Sequence, residues 1–137
     1  MSLFKVFDIA SSGMSSQSVR LNITASNLAN GESTAGSVAE AYKARHPVFA
    51  TILDQASLNS SSVGVTVSDI VESTEEPRKL YQPENPVADQ DGYVYAANVN
   101  MVEEMANMIS ASRSYQSNVE VMNTTKQLLL KTLQLGQ

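Results

Sequence analysis

Asn100-Met-Val-Glu-Glu-Met-Ala-Asn-Met-Ile-Ser-Ala-Ser-Arg-Ser-Tyr115, running on to Leu135, carries the strongest structural signal in the chain. Asn100 followed three residues later by Glu103 has the form of a capping box, which satisfies the free amides at the start of a helix. From there Met101, Met108, Tyr115, Met122 and Leu129 recur at every seventh position. A second row four positions on holds Met105, Ser112, Val119 and Leu133, with Lys126 interrupting it. Apolar residues at that spacing form the seam of a helix that pairs lengthwise with another. Glu103 and Glu104 open the segment and Lys126 and Lys131 approach its end, an order that complements the helix dipole. Gly136 supplies a stop.

At the other end of the chain, Leu3 to Asn30 reads as a matching helix. Phe4, Phe7, Met14, Leu21, Ala25 and Leu28 fall at spacings of three, four and seven, with Ser11 and Ser18 filling layers of the same stripe. Ser12, Ser15, Ser16, Gln17, Asn22, Ser26 and Asn27 occupy the opposite face. Asn30-Gly31 ends the helix. Ser, Thr and Asn are indifferent helix formers, so this element is marginal alone and needs partners.

Between the helices, residues 31–97 hold all four prolines and most of the glycines. Pro47 to Leu53 and Val63 to Val71 read as short strands, Val63, Val65 and Val67 alternating with small or polar residues. Ser57 to Ser62 reads as a flexible loop, and Gln82 to Gly92 is turn chemistry throughout. The predicted fold is mainly α with a small β-rich middle module: an N-terminal helix (1–30), a β-rich and extended module (31–97) and a C-terminal helix (98–137). The plain reading of the pattern is an autonomous helical hairpin. The alternative is an assembly in which many hairpins bury one another, favoured by polar faces of Ser, Asn and Gln where a solvated helix usually shows Lys and Glu.

Composition narrows the function. The 137-residue chain has a formal net charge of −5 and no Lys/Arg run, so the basic footprint that nucleic acid requires is missing. There is no cysteine, hence no disulfide or thiolate chemistry. The N-terminus lacks the features of a secretory signal, and no apolar run approaches the roughly 20 residues of a membrane span. Taken alone, these features predict a cytoplasmic protein. Asp89-Gln-Asp-Gly92 invites comparison with a calcium loop, but aligning Gly92 with the loop's invariant glycine puts Val87 and Asn98 where carboxylates belong. It is predicted to be a turn. His46, the single histidine, has no spaced partners for a metal or catalytic role. No nucleophile elbow or phosphate loop is present. We therefore expect no catalytic residues, cofactor or metal.

Ser26-Asn-Leu-Ala-Asn30, following a heptad helix, resembles the corresponding motif of flagellar axial proteins. Asp91-Gly-Tyr-Val94, Asn98-Val-Asn100, Glu104-Met105 and Ser110-Ala-Ser-Arg-Ser-Tyr115 resemble the C-terminal signature of the flagellar basal-body rod family. Chain length, Tyr42-Lys-Ala-Arg-His-Pro-Val-Phe49 and the Leu-Lys-Thr-Leu-Gln-Leu-Gly ending are similar to its proximal members, not to the longer distal-rod or hook proteins. The chain departs from the family pattern at Ala96-Ala97 and across Gly31 to Ala41, where a proline-containing turn is usual.

The resemblance implies a non-enzymatic subunit exported unfolded through the flagellar type III apparatus and assembled in the periplasm as part of the rod. That expectation replaces the cytoplasmic one, since a type III substrate carries no secretory signal. Implied partners are other copies, other rod subunits and the export apparatus, without nucleic acid or direct membrane insertion. The expected assembly interface comprises Phe4, Phe7, Met14, Leu21, Asn27, Leu28 and Asn30 on the first helix. On the second it comprises Met101, Met105, Met108, Arg113, Tyr115, Val119, Met122, Leu129 and Leu133. A soluble helical adaptor or chaperone, and a hydrolase built on the β module, are the competing classes.

Overall fold

The structure is a computed structural model, and it describes residues 3–52 and 63–135. Helix α1 spans Leu3–Asn30 and α2 spans Met101–Leu135. Between them lie β1 (Thr34–Ala35), β2 (Arg45–Ile52), β3 (Gly64–Glu72), β4 (Arg78–Tyr81) and β5 (Tyr93–Ala96). This is the helix–β module–helix order expected from the sequence. Leu53, the Ser57–Ser62 loop and Gly136 lie outside the described residues.

The helix ends follow local chemistry. Asn100 Oδ1 accepts hydrogen bonds from the amides of Val102 (3.2 Å) and Glu103 (3.3 Å), so Asn100 caps α2. At the end of α1 the Gly31 amide bonds back to Leu28 O at 3.3 Å. Gly31 is buried, and a Cβ there would collide with Met101 Sδ at the start of α2. The absence of a side chain lets the two helix ends meet.

The middle module divides into two antiparallel sheets, β2-β3 and β1-β5-β4. In the β2-β3 hairpin Val48 pairs with Asp69 and Phe49 with Val67, leaving Ser68 unpaired as a bulge. Ser68 Oγ donates to Val48 O at 3.2 Å across that step. An isolated two-stranded hairpin is marginal in water. This one lies against α1, where Ser16 Oγ donates to Val65 O (3.2 Å) and the Val65 amide donates to Ser12 Oγ (3.2 Å).

β1, β4 and β5 fall in stretches that the sequence marks only as extended connections. Ala96 and Ala97, where the chain departs from the family pattern, are both buried. Ala96 pairs with Thr34 and Arg78, and the Ala97 amide donates to Ser33 O at 3.1 Å. The Gly31–Ala41 stretch is thus held by a short strand, not by a proline turn.

The apolar core is small. Ala44, Ala97 and Val99 form its centre, with Tyr42 and Met101 packed against it. The buried apolar side chains are mostly alanines, and Val94 is the largest of those fully enclosed. The chain exposes 9440 Å², whereas a compact globule of this mass exposes about 7,000 Å².

Candidate assembly interface

The helices are antiparallel, and their contact is made by small and polar residues. A Cβ on Gly13 would lie 2.9 Å from Asn118 Nδ2. Farther along, Arg20 Nη2 donates to Asn107 Oδ1 at 2.9 Å, and Asn27 Nδ2 donates to Glu104 Oε2 at 2.9 Å. On α2 the innermost positions are Glu104, Ala111 and Thr125, all buried, with Asn118 half-buried among them at the same spacing. On α1 they include Ala10, Ser16, Ile23, Thr24 and Asn27. Gln17 Oε1 is buried without a hydrogen-bond partner among the described residues, which costs about 1–3 kcal/mol.

Asn27 is the hub, and it is fully buried at 0% exposure. Its Oδ1 accepts from the Arg45 amide (3.0 Å) and from Tyr42 Oη (3.0 Å), while Nδ2 donates to Arg45 O (2.8 Å) and to Glu104. All four hydrogen-bonding positions of the amide are filled. One side chain thereby ties α1 to the start of β2 and to α2. Asn98 makes a second junction: Oδ1 accepts from the Ala44 amide (2.7 Å) and Nδ2 donates to Glu75 O (2.6 Å). The asparagines of the two sequence motifs are thus structural junctions where helices and module meet.

The expected interface residues divide into three groups. Asn27 is interior. Phe7, Met14, Leu21, Leu28 and Asn30 on α1, and Met101, Met108, Tyr115, Val119, Met122 and Leu129 on α2, are half-buried. Phe4 (70% exposed), Met105 (53%), Leu133 (68%) and Arg113 lie at the surface.

The first α2 row therefore flanks the hairpin seam. The second inner row is Glu104–Ala111–Asn118–Thr125, one residue before the row suggested by Met105, Ser112, Val119 and Leu133. Close approach of the two backbones favours small Ala111 and Thr125, Asn118 fits against Gly13, and Glu104 is held inside by its hydrogen bond from Asn27. The face of α1 read as its polar back likewise buries Ser16 and Asn27. Sequence reasoning missed Gly13, Glu104, Ala111 and Thr125. A glycine inside a helix, costing about 1 kcal/mol relative to alanine, was the available signal for close packing at Gly13.

Outside the seam, large apolar side chains are exposed. Val102 and Ile109 join Met105 on the exposed side of α2, and Val121, Leu128, Leu130 and Leu133 continue toward its end. Phe49, Ile52, Ile70 and Val71 are exposed on the β2-β3 hairpin.

Asp89 organises the turn before β5. Its Oδ1 accepts from the amides of Tyr93 (2.8 Å) and Asp91 (3.0 Å), and its Oδ2 from Tyr95 Oη (3.4 Å). Gly92 takes φ of 81°, the left-handed conformation that suits glycine. These contacts, led by the Tyr93 amide, hold the Asp89 carboxyl below its ordinary value of 3.8. A depressed carboxylate contributes stability above its unfolded pKa and loses it as pH falls through the folded value. The Tyr93 amide resonance is accordingly expected to hold its folded position at pH 5 and shift only below about pH 3.8, and Asp89→Asn should flatten that acid transition. Among the described residues, no three His, Cys, Asp or Glu side chains converge as metal ligands. No helix among them is long and apolar enough to cross a membrane.

Comparison with known proteins places both helices in one group. Residues 7–36 match the family described as "Flagella basal body rod protein", and residues 90–135 match "Flagellar basal body rod FlgEFG protein C-terminal". Over the full length of both chains, the sequence is 50% identical to the flagellar basal-body rod protein FlgC of Yersinia enterocolitica. Equally complete alignments give 49% identity to that of Escherichia coli O157:H7 and 47% to that of Salmonella typhi. With identity at that level and no part of either chain left unmatched, the chain belongs to the FlgC family of flagellar basal-body rod proteins.

Proposed function

We propose that this chain is a non-catalytic structural subunit of the proximal rod of the flagellar basal body, where its helical hairpin is one stave of a cylindrical helical layer. The supporting observation is the partition of side chains: Gly13, Ala111, Thr125, Asn27 and Glu104 seal the hairpin, while Phe4, Met105, Ile109, Leu130 and Leu133 face outward. A solvated monomer gains nothing from that arrangement. In an assembly each large apolar side chain fully buried against a neighbour contributes about 1.5–3 kcal/mol, and the half-buried heptad rows continue as coiled-coil-like seams between hairpins.

In this reading residues 1–30 and 98–137 form the layer that carries torque, and the module 31–97 sits outside it and contacts neighbours. The partners are further copies and other rod subunits. The weakly cored monomer suits passage in an unfolded state through the flagellar type III export apparatus. Neither nucleic acid nor membrane insertion enters the role.

The test places a charge mid-seam. Met122→Lys and Leu21→Asp are expected to abolish swimming by blocking rod assembly, since each puts an unpaired charge at a half-buried position at a cost of several kcal/mol per subunit. Lys126→Ala, at an exposed position, is the tolerated control. Soft-agar motility, electron microscopy of purified basal bodies and immunoblots of exported subunit read the outcome. Normal swimming with complete rods in the Met122→Lys strain would refute the proposal.

A further inference from the structure

The two helices are unequal, and the difference is all at one end. Ten residues of α1 precede Gly13, whereas seventeen of α2 follow Asn118 opposite it. Helix α2 therefore runs about seven residues past Leu3, roughly 10 Å. This final stretch, residues 129–135, exposes Leu130 (51%) and Leu133 (68%). Lys131 is exposed beside them, and Lys126 is exposed about one turn earlier. Among the described residues, α1 begins at Leu3 and does not reach this stretch.

At the opposite end of α2, a groove of about 430 Å³ is lined by Val99, Met101 and Val102 on one side of its chemistry and by Glu75 and Glu76 on the other, with Arg78 its one basic side chain. Its volume is within the range of pockets that bury a ligand. The 35-residue helix separates groove from overhang by roughly 50 Å, so a chain cannot fill its own groove. Helix end and groove are complementary: leucines for Val99, Met101 and Val102, and Lys131 for Glu75 and Glu76.

We propose that this groove receives the overhanging, leucine-rich and lysine-bearing end of the C-terminal helix of an adjacent rod subunit of the same helix type. The inference rests on the rod reading and adds the contact that carries it lengthwise. Two different surfaces meet, so the contact is heterologous and leaves a free groove and a free helix end after every addition. That is the geometry of an open-ended filament, not of a closed ring.

The test is site-specific photo-crosslinking in purified basal bodies, with a benzophenone amino acid replacing Val102, whose side chain is 76% exposed. The expected crosslinked peptide, identified by mass spectrometry, comes from the last turns of a neighbouring subunit's C-terminal helix. A probe replacing Leu130 should reciprocally capture the segments around the groove. The double variant Glu75→Lys/Glu76→Lys should reduce the Val102 crosslink at least fivefold. Attachment of the Val102 probe to a β module, to an N-terminal helix or to nothing, with the chain present in the basal body, would overturn the contact and leave the rod role standing. Absence of the chain from basal bodies by immunoblot would instead overturn the rod role, and the contact with it.

Discussion

Asn27→Asp is expected to eliminate the subunit from the rod, with at least a tenfold loss of incorporated protein and no swimming. The amide makes four hydrogen bonds in a fully buried position. An aspartate keeps the two acceptor contacts from the Arg45 amide and Tyr42, but it has no donors for Arg45 O and Glu104. Its second oxygen then faces both of those acceptors, one of them a carboxylate that was 2.9 Å from the lost amide nitrogen. A buried like-charged pair and orphaned acceptors together cost about 3–5 kcal/mol, a large part of any domain's stability. Asn27→Ala removes the amide without adding charge and should be milder. Immunoblots of purified basal bodies, normalised to exported subunit, make the comparison. Equal incorporation of Asn27→Asp and wild type would mean that the junction is dispensable.

Ile109→Lys and Ala111→Leu, two residues apart on α2, are expected to fail for different reasons. Ile109 is 57% exposed and Ala111 is 0% exposed. A lysine at 109 meets only water in the isolated chain, so circular dichroism of purified protein should match wild type. In the proposed packing the same lysine lies on a face that neighbours cover, and assembly should be lost. Leucine at 111 forces extra volume between two backbones, costing about 1–3 kcal/mol, so helix content should already fall in the isolated chain. If both variants changed the isolated chain equally, the distinction between inner seam and outer face would be wrong.

That distinction marks where sequence stopped being informative. The helices were legible because each declares itself several times over: Asn100 caps α2, Asn30-Gly31 ends α1, and heptads run through both. The β2-β3 hairpin was legible through the Val65–Val67 alternation. β1, β4 and β5 were not, since strands of two to four residues give too few alternations and exist through pairings such as Ala35 with Tyr95.

Among the interface residues, Met101, Met108, Tyr115, Met122 and Leu129 were readable as one stripe. Their partner row was not, because apolar content points toward Met105 and Leu133 whereas close packing selects Ala111 and Thr125. A hydrophobic pattern reports what must leave water. It does not say whether the cover comes from the same chain or from the next. Nor does it show that Asn27 and Glu104, 77 positions apart, belong to one network.

The polar lock between α1 and α2 has a mechanical consequence. A shaft under torque loads each antiparallel hairpin in shear, tending to slide one helix along the other. Leucine seams resist this weakly in the direction of sliding, because a slip of one heptad replaces each apolar contact with a similar one. Here a one-heptad slip carries Glu104 away from Asn27, bringing Ala111 opposite that amide, and offers the Asn107 end of Arg20's bond to another layer. Each such step strands hydrogen-bonding groups that the original alignment satisfied, at about 1–3 kcal/mol apiece. The hairpin is therefore keyed like a shaft and hub, yielding elastically under twist but returning to a single alignment when the load is removed.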